Sequence, residues 1–401
     1  MTTCSVESAE AQVRPASWAA VVAVSAGAFA MVSAEFLPIG LLPAVAEDFG
    51  ITEGHAGLMV TVPGVVAAVA APVIAGTVGR LDRRWVLSAL LLLLMLSNVA
   101  VATASSFTIL LLGRVLLGIG VGGFWTVGGS LGPRLRPGAD GTKATAIIFS
   151  GISLGTVAGL PSGSFLGSIM GWRLAFVATA GLALLAIIAV VVLLPQIRPQ
   201  VGSGIKAVPQ VLRFRLVQVA LIAAIFCFAG HFGAYTYIAP FLNSASGTSP
   251  AALSAVLVAY GVTGFLGNIA GGWLAVRNVQ AAPAVAAISV ALAIAVLAAT
   301  GSHPNFAIAA VMAWGLAFGM WPVAINTFVF SVAPQHLESA TAVFQTIAQA
   351  SIAVGALLGG VAVDSMGVAS ALWIGAIGAA VASAIIVFFG RSATRTASGP
   401  A

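Results

Sequence analysis

Charge is what this chain has least of: of 401 residues, 6% are Asp, Glu, Lys or Arg, while 60% are hydrophobic. Soluble domains carry about a quarter charged residues, so a water-soluble fold is excluded for most of the length. Cysteine is nearly missing as well. Cys4 near the terminus and Cys227 inside an apolar tract make neither a disulfide framework nor a metal site. No Gly-x-x-x-x-Gly-Lys-Ser/Thr loop occurs, so no ATP site is expected and any work must draw on an ion or solute gradient. No cofactor or metal is expected. The 16 Lys and Arg residues give a formal charge of +6, but they are too scattered to form a basic groove for nucleic acid.

What is present instead is a series of apolar runs with at most one charged residue each, near 18–43, 55–78, 85–104, 107–131, 143–168, 172–194, 216–242, 250–276, 282–300, 305–331, 340–363 and 367–389. Each is long enough to cross the roughly 30 Å of bilayer hydrocarbon as a helix. The expectation is an all-α integral membrane protein with twelve transmembrane helices. An even number of crossings puts both termini on one side. Arg80, Arg83, Arg84, Arg134, Arg136, Lys143, Arg213, Arg215 and Arg277 fall on that side, whereas Arg173 falls on the other, so the termini are expected in the cytoplasm. No small-residue cleavage site follows the first run, which reads as a retained anchor. The Pro-, Gly- and Arg-containing stretch 195–215 reads as a cytoplasmic linker. It divides the chain into a tail 1–17, a first half 18–194, a second half 216–389 and a tail 390–401.

The halves share a register at an offset of 196 residues. ATAII (144–148) faces ATAVF (340–344), Gly159 faces Gly355, Gly163 faces Gly359, Trp125 faces Trp321, and Glu35 faces His231. Two parallel six-helix repeats around a central site describe a secondary transporter. A passive channel fits less well, because no charged ring or filter sequence is seen.

Glu35 is the one acidic residue well inside a run, where a carboxylate must be paired, neutralised or turned to a cavity. It is the candidate proton carrier. Arg114 is the one basic residue well inside a run, and at about 1.5 Å per residue it lies at the depth of Glu35. A charge relay, a substrate-competing ion pair and a purely structural pair are all open. Phe124 and Trp125 lie near the same face as Arg114 and could stack on a planar solute, with an interfacial tryptophan as the alternative. His231, Tyr235 and Tyr237 add a titratable ring and hydroxyls. Asn326, Gln345 and Gln349 suit a hydroxyl-rich or heterocyclic solute, or helix-to-helix bonding. Gly151, Gly155, Gly159, Gly163 and Gly167 form a smooth face for close approach, with Pro161 able to kink it. GGSLG (128–132) and GISLG (151–155) match the Gly-x-Ser-x-Gly nucleophile pattern, placing Ser130 or Ser153 with His231 as a remote serine-hydrolase reading.

The motifs Arg114–Gly120 (Arg-x-x-x-Gly-x-Gly), Gly155-Thr-Val-Ala-Gly-Leu-Pro-Ser-Gly163 and the basic loop GTVGRLDRR (76–84) resemble the major facilitator superfamily and, within it, the twelve-span drug:proton antiporter group. In that loop Arg80 stands where the family has an aspartate, so Asp82, with Arg83 and Arg84, is the candidate replacement in the conformational latch. AEFLPIGLLP (34–43), GLPSGSFLGSIMGWR (159–173) and FAGHFGAYTYIAPF (228–241) are similar to bacterial efflux permeases for purine nucleosides, then to those for sugars and chloramphenicol. The resemblance implies proton-driven export of a small molecule across the bacterial inner membrane by a monomer. Gly155, Gly159, Pro161 and Gly163 would serve the conformational change and Glu35 the proton coupling.

Overall fold

In hydrocarbon a backbone N–H or C=O finds no water, so a run that crosses must satisfy its own hydrogen bonds, and an isolated uncharged run does so as a helix. The structure, a computed structural model, describes residues 16–78, 81–128, 131–137, 140–197, 210, 212–333 and 337–390. Among the described residues there are no strands. Twelve helical segments are long and apolar enough to cross a membrane: span 1 Trp18–Gly40, span 2 Glu53–Thr77, span 3 Arg83–Ala102, span 4 Phe107–Gly128, span 5 Lys143–Met170, span 6 Trp172–Leu193, span 7 Arg215–Tyr235, span 8 Ala252–Arg277, span 9 Ala281–Thr300, span 10 Pro304–Val332, span 11 Val343–Met366 and span 12 Val368–Phe389.

The two sets of six are packed alike. Span 1 lies against spans 5 and 6 as span 7 lies against 11 and 12; span 2 pairs with span 4 as span 8 pairs with span 10; span 3 packs on span 6 as span 9 packs on span 12. The turns repeat as well. Gly171 and Gly367, 196 positions apart, both have φ 85° and open the last helix of their half. A side chain at that φ would be strained, so glycine is required at this reversal.

Each half has an apolar core, that of the second taking in Ile39 and Val60 of the first, and a smaller cluster also joins the halves. We call the end that carries residues 197 and 215 the linker end and the opposite one the far end. At the far end Leu42, Ala46 and Ala56 of the first half pack with Tyr237, Val363 and Ala371 of the second. Thr52 Oγ1 donates to Asp364 Oδ2 (2.8 Å) and the Gly54 N–H to Asp364 Oδ1 (3.1 Å). The Tyr237 hydroxyl donates to Ala356 O (2.9 Å) and approaches Gly54 O (3.4 Å).

Span 5 differs from a plain helix. Gly155–Gly159 forms a π turn directly before Pro161. Four-residue spacing on an α-helix drifts by about 40° per step, and the wider turn takes back part of the drift. The glycine row therefore stays on span 1, with Gly151 over Ser25 and Ala28, Gly155 over Val32, Gly159 over Ser33 and Gly163 over Leu37.

Candidate functional site

Proline creates the site's first requirement. Because Pro38 and Pro63 have no N–H, the carbonyls four residues earlier, on Ala34 and Met59, lose their helical donor. Arg114 supplies the replacement: Nε donates to Met59 O (2.8 Å), one terminal nitrogen to Ala34 O (3.0 Å) and the other to Glu35 O (3.0 Å). It is fully buried, and the rigid fork of a guanidinium suits three fixed acceptors better than an ammonium would. The expected ion pair between side chains is not the arrangement found. Arg114 grips the backbone of Glu35, and among the described residues no ion pair joins it to the carboxylate. Spans 1, 2 and 4 are thereby tied together at the level of the acid.

The Glu35 side chain turns to the other half. Its Oε1 accepts from Gln349 Nε2 of span 11 at 3.2 Å, and Glu35 is 6% exposed. Beside it Phe36 and Phe232 stack across the same seam, centroids 5.4 Å apart and planes at 18°. The Gln349 Oε1 atom is buried without a hydrogen-bond partner among the described residues. Gln345, one turn toward the linker end, is half-buried.

His231 sits in an aromatic stack of the second half. Its ring lies face to face on Phe318 (3.3 Å, 2°), near-parallel to Tyr235 (5.2 Å, 20°), and its Nδ1 accepts the Trp314 Nε1–H at 3.1 Å. An imidazole accepting at Nδ1 keeps its proton on Nε2. Tyr235 in turn stacks on Tyr260 (4.6 Å).

The other candidates are spread more widely than their residue types suggested. Phe124 is fully buried in the first half's core, close to Gly27 and Leu91, and so cannot stack on a solute in this conformation; this corrects the expectation. Trp125 is half-buried and stacks on Phe149 (6.1 Å, 25°). Tyr237 is fully buried in the far-end contact, so its hydroxyl joins helices there rather than facing a solute. The Asn326 amide donates back to Pro322 O (2.8 Å) in its own helix.

Asp82 caps span 3 by accepting from the Arg84 N–H (2.9 Å) and also accepts from the Ile197 N–H (3.2 Å); Arg83 donates to Val78 O (3.0 Å) and Arg84 to Val191 O. Three of these contacts stay inside the first half and the fourth ties the start of the linker, Ile197, to it; none reaches the second half. Arg80 and Ser130 lie outside the described residues. Ser153 belongs to a continuous helix, Asp140–Leu154, not to a strand-to-helix elbow, which removes the structural basis of the hydrolase reading. A cavity of about 120 Å³ in the first half, lined by Phe29, Ser33, Gly159, Ser162, Gly163 and Thr179 among others, includes none of the expected solute residues. Among the described residues no cluster of His, Cys, Asp or Glu could hold a metal ion.

The sequence reading missed Phe36, Phe232, Trp314 and Asp364. Phe36 and Phe232 carried a signal, since they are the next pair after Glu35 and His231 at the repeat offset. Trp314 and Asp364 carried none beyond residue type.

Comparison with known proteins accords with this geometry. The chain is 36% identical over 364 residues to the purine ribonucleoside efflux pump NepI of Salmonella paratyphi A, covering 91% of each chain. It is 35% identical over 364 residues to the protein of that name from Escherichia coli, covering 91% of this chain and 92% of the relative. Its fold matches the crystal structure of a bacterial homolog to the human lysosomal transporter Spinster in an inward-facing and occupied conformation, with TM-score 0.77, 16% identity and 95% and 98% of the two chains covered. The family model of the Major Facilitator Superfamily matches residues 24–356. With twelve spans in two repeats and that match over most of its length, the chain belongs to the Major Facilitator Superfamily.

Proposed function

We propose that the protein exports purine nucleosides from the bacterial cytoplasm across the inner membrane in exchange for protons, as a monomer with both termini inside. The observation that carries this reading is the Glu35–Gln349 hydrogen bond, which puts the one acid well inside the spans on a partner from the opposite half. A change in its charge then bears on whether the halves stay together, which is what coupling requires. The nucleoside comes from the relatives, whose printed name is that of a purine ribonucleoside efflux pump. Orientation is supported by Arg83, Arg84, Arg134, Arg136, Lys143, Arg213, Arg215 and Arg277 at the linker end, while Arg173 at the far end is paired with Asp48 at 2.7 Å.

In this mechanism Arg114 holds the backbone around Glu35 fixed, so that only the side chain responds to the proton. With the far end open, a proton from outside binds the Glu35 carboxylate and the solute departs. With the linker end open, that proton leaves to the cytoplasm as the next solute binds. The glycine row on span 1 and the π turn before Pro161 give span 5 a surface that can slide, and Asp82, Arg83 and Arg84 brace the linker end of the first half. His231 is assigned a packing role.

The test is uptake of labelled inosine, arabinose and chloramphenicol into everted vesicles, with and without a protonophore. Concentrative inosine uptake that collapses with the proton gradient is expected. Uptake of arabinose or chloramphenicol instead would replace the substrate, and uptake indifferent to the protonophore would remove the coupling.

A further inference from the structure

An ionised carboxylate offers only acceptors, so Gln349 must meet Glu35 with its N–H₂ group, as it does at 3.2 Å. The amide oxygen is then turned away, and it is buried with no partner among the described residues, a state that buried polar atoms rarely keep. Protonation adds a donor. The O–H of a carboxylic acid needs an acceptor, and the one Gln349 can offer it is Oε1. The terminal amide torsion is broad and roughly two-fold, so the group can turn over without moving the helix, and N–H₂ then occupies the side that Oε1 had.

We propose that Gln349 converts the protonation state of Glu35 into solute affinity by presenting its oxygen to the solute when Glu35 is ionised and its N–H₂ when Glu35 is protonated. A solute with a ring N–H is held by the first face and opposed by the second. This selects nucleobases with a lactam edge, such as that of inosine. The inference rests on the nucleoside-export reading above. It adds the step by which the proton releases the solute.

The surroundings leave the exchange to these two side chains. The charged group acting on the Glu35 carboxyl is Arg114, and its donors are held by three carbonyls. The other ionisable groups on the spans around Glu35, namely Arg83, Arg84, Asp140, Lys143, Arg173 and, on span 11 itself, Asp364, lie in the end turns of their helices or beyond them, and Glu53 begins span 2. His231, adjacent in sequence to Phe232, is bonded to Trp314.

The experiment is nucleoside counterflow in proteoliposomes between pH 6 and pH 8, comparing inosine with 1-methylinosine, which lacks the ring N–H. In the unsubstituted protein the KM for inosine is expected to rise about tenfold toward low pH, the effect of exchanging one favourable hydrogen bond for an opposed one. The KM for 1-methylinosine, which keeps the carbonyl acceptor but not the N–H, is expected to be higher at pH 8 and not to rise toward low pH. Gln349→Met should make inosine behave like 1-methylinosine at unchanged insertion. If that variant does not insert, Gln349→Asn, one methylene too short to reach Glu35 and the solute together, should give the same flat profile. An inosine profile that keeps its pH dependence in the inserted variant, or equal profiles for the two nucleosides in the unsubstituted protein, overturns the inference while leaving export intact. An unsubstituted protein that exchanges no nucleoside at any pH overturns the export reading and this inference with it, before any variant is made.

Discussion

Phe36 and Phe232 occupy equivalent positions of the two repeats, 196 residues apart, and their rings stack on one another across the seam between the halves. A stacked aromatic pair is worth about 0.5–1.5 kcal/mol beyond its buried area. A double-mutant cycle of Phe36→Leu and Phe232→Leu, read by unfolding in detergent, should therefore return a coupling in that range. Strictly additive losses would mean that the rings do not support each other.

Arg114 fills three carbonyls on two neighbouring helices, spans 1 and 2, two of them left open by prolines. Arg114→Lys keeps the charge but has no fork to span them, and Arg114→Leu removes every donor. Breaking a buried charged group's contacts costs roughly 3–5 kcal/mol, so both variants should unfold at clearly lower temperature and lose turnover. A Lys variant with normal stability and kinetics would show that charge alone is what the site uses.

Glu35→Gln keeps the shape and a hydrogen bond to Gln349 but removes the exchangeable proton. Uphill uptake should vanish, while insertion and counterflow of solute persist. Full uphill transport in the variant would take Glu35 out of the coupling.

His231 accepts the indole N–H of Trp314. His231→Leu should strand that donor at a cost of about 1–3 kcal/mol, and adding Trp314→Phe should recover part of the loss. His231→Gln, which can still accept, should leave the pH profile of transport in place; a lost or displaced profile would assign the imidazole a share of the proton.

Asp364 holds Thr52 and Gly54 across the far end. Asp364→Ala should loosen that end, so that a cysteine placed at Ala46, 5% exposed, reacts several-fold faster with a membrane-impermeant maleimide. An unchanged rate would assign the seal to the apolar cluster of Leu42, Tyr237 and Val363 alone.

The fold could be read from the sequence because its signal is simple. Twelve apolar runs and one register at 196 residues settle how many helices there are and how they are grouped, and Glu35 and Arg114 stood out because charge in such runs is rare. Facing was the part that could not be read. Phe124 lies on a helix that is apolar on every side, and such a helix gives no clue to which face meets a cavity, so a core ring was taken for a stacking surface. The true partners of Arg114 were visible in principle. Pro38 and Pro63 each stand four residues beyond a carbonyl that Arg114 fills, but only the packing of spans 1, 2 and 4 brings those two openings to one guanidinium.

Glu35 is anchored at its backbone to its own half and reaches with its side chain to the other. Under the proposed mechanism, the apparatus that reads the gradient is thereby built into one repeat, while the amide that meets the cargo stands on the second. A change among the neighbours of position 349 would retune what is carried while the Gln349 amide goes on reading the proton site, so cargo and coupling can diverge along one chain.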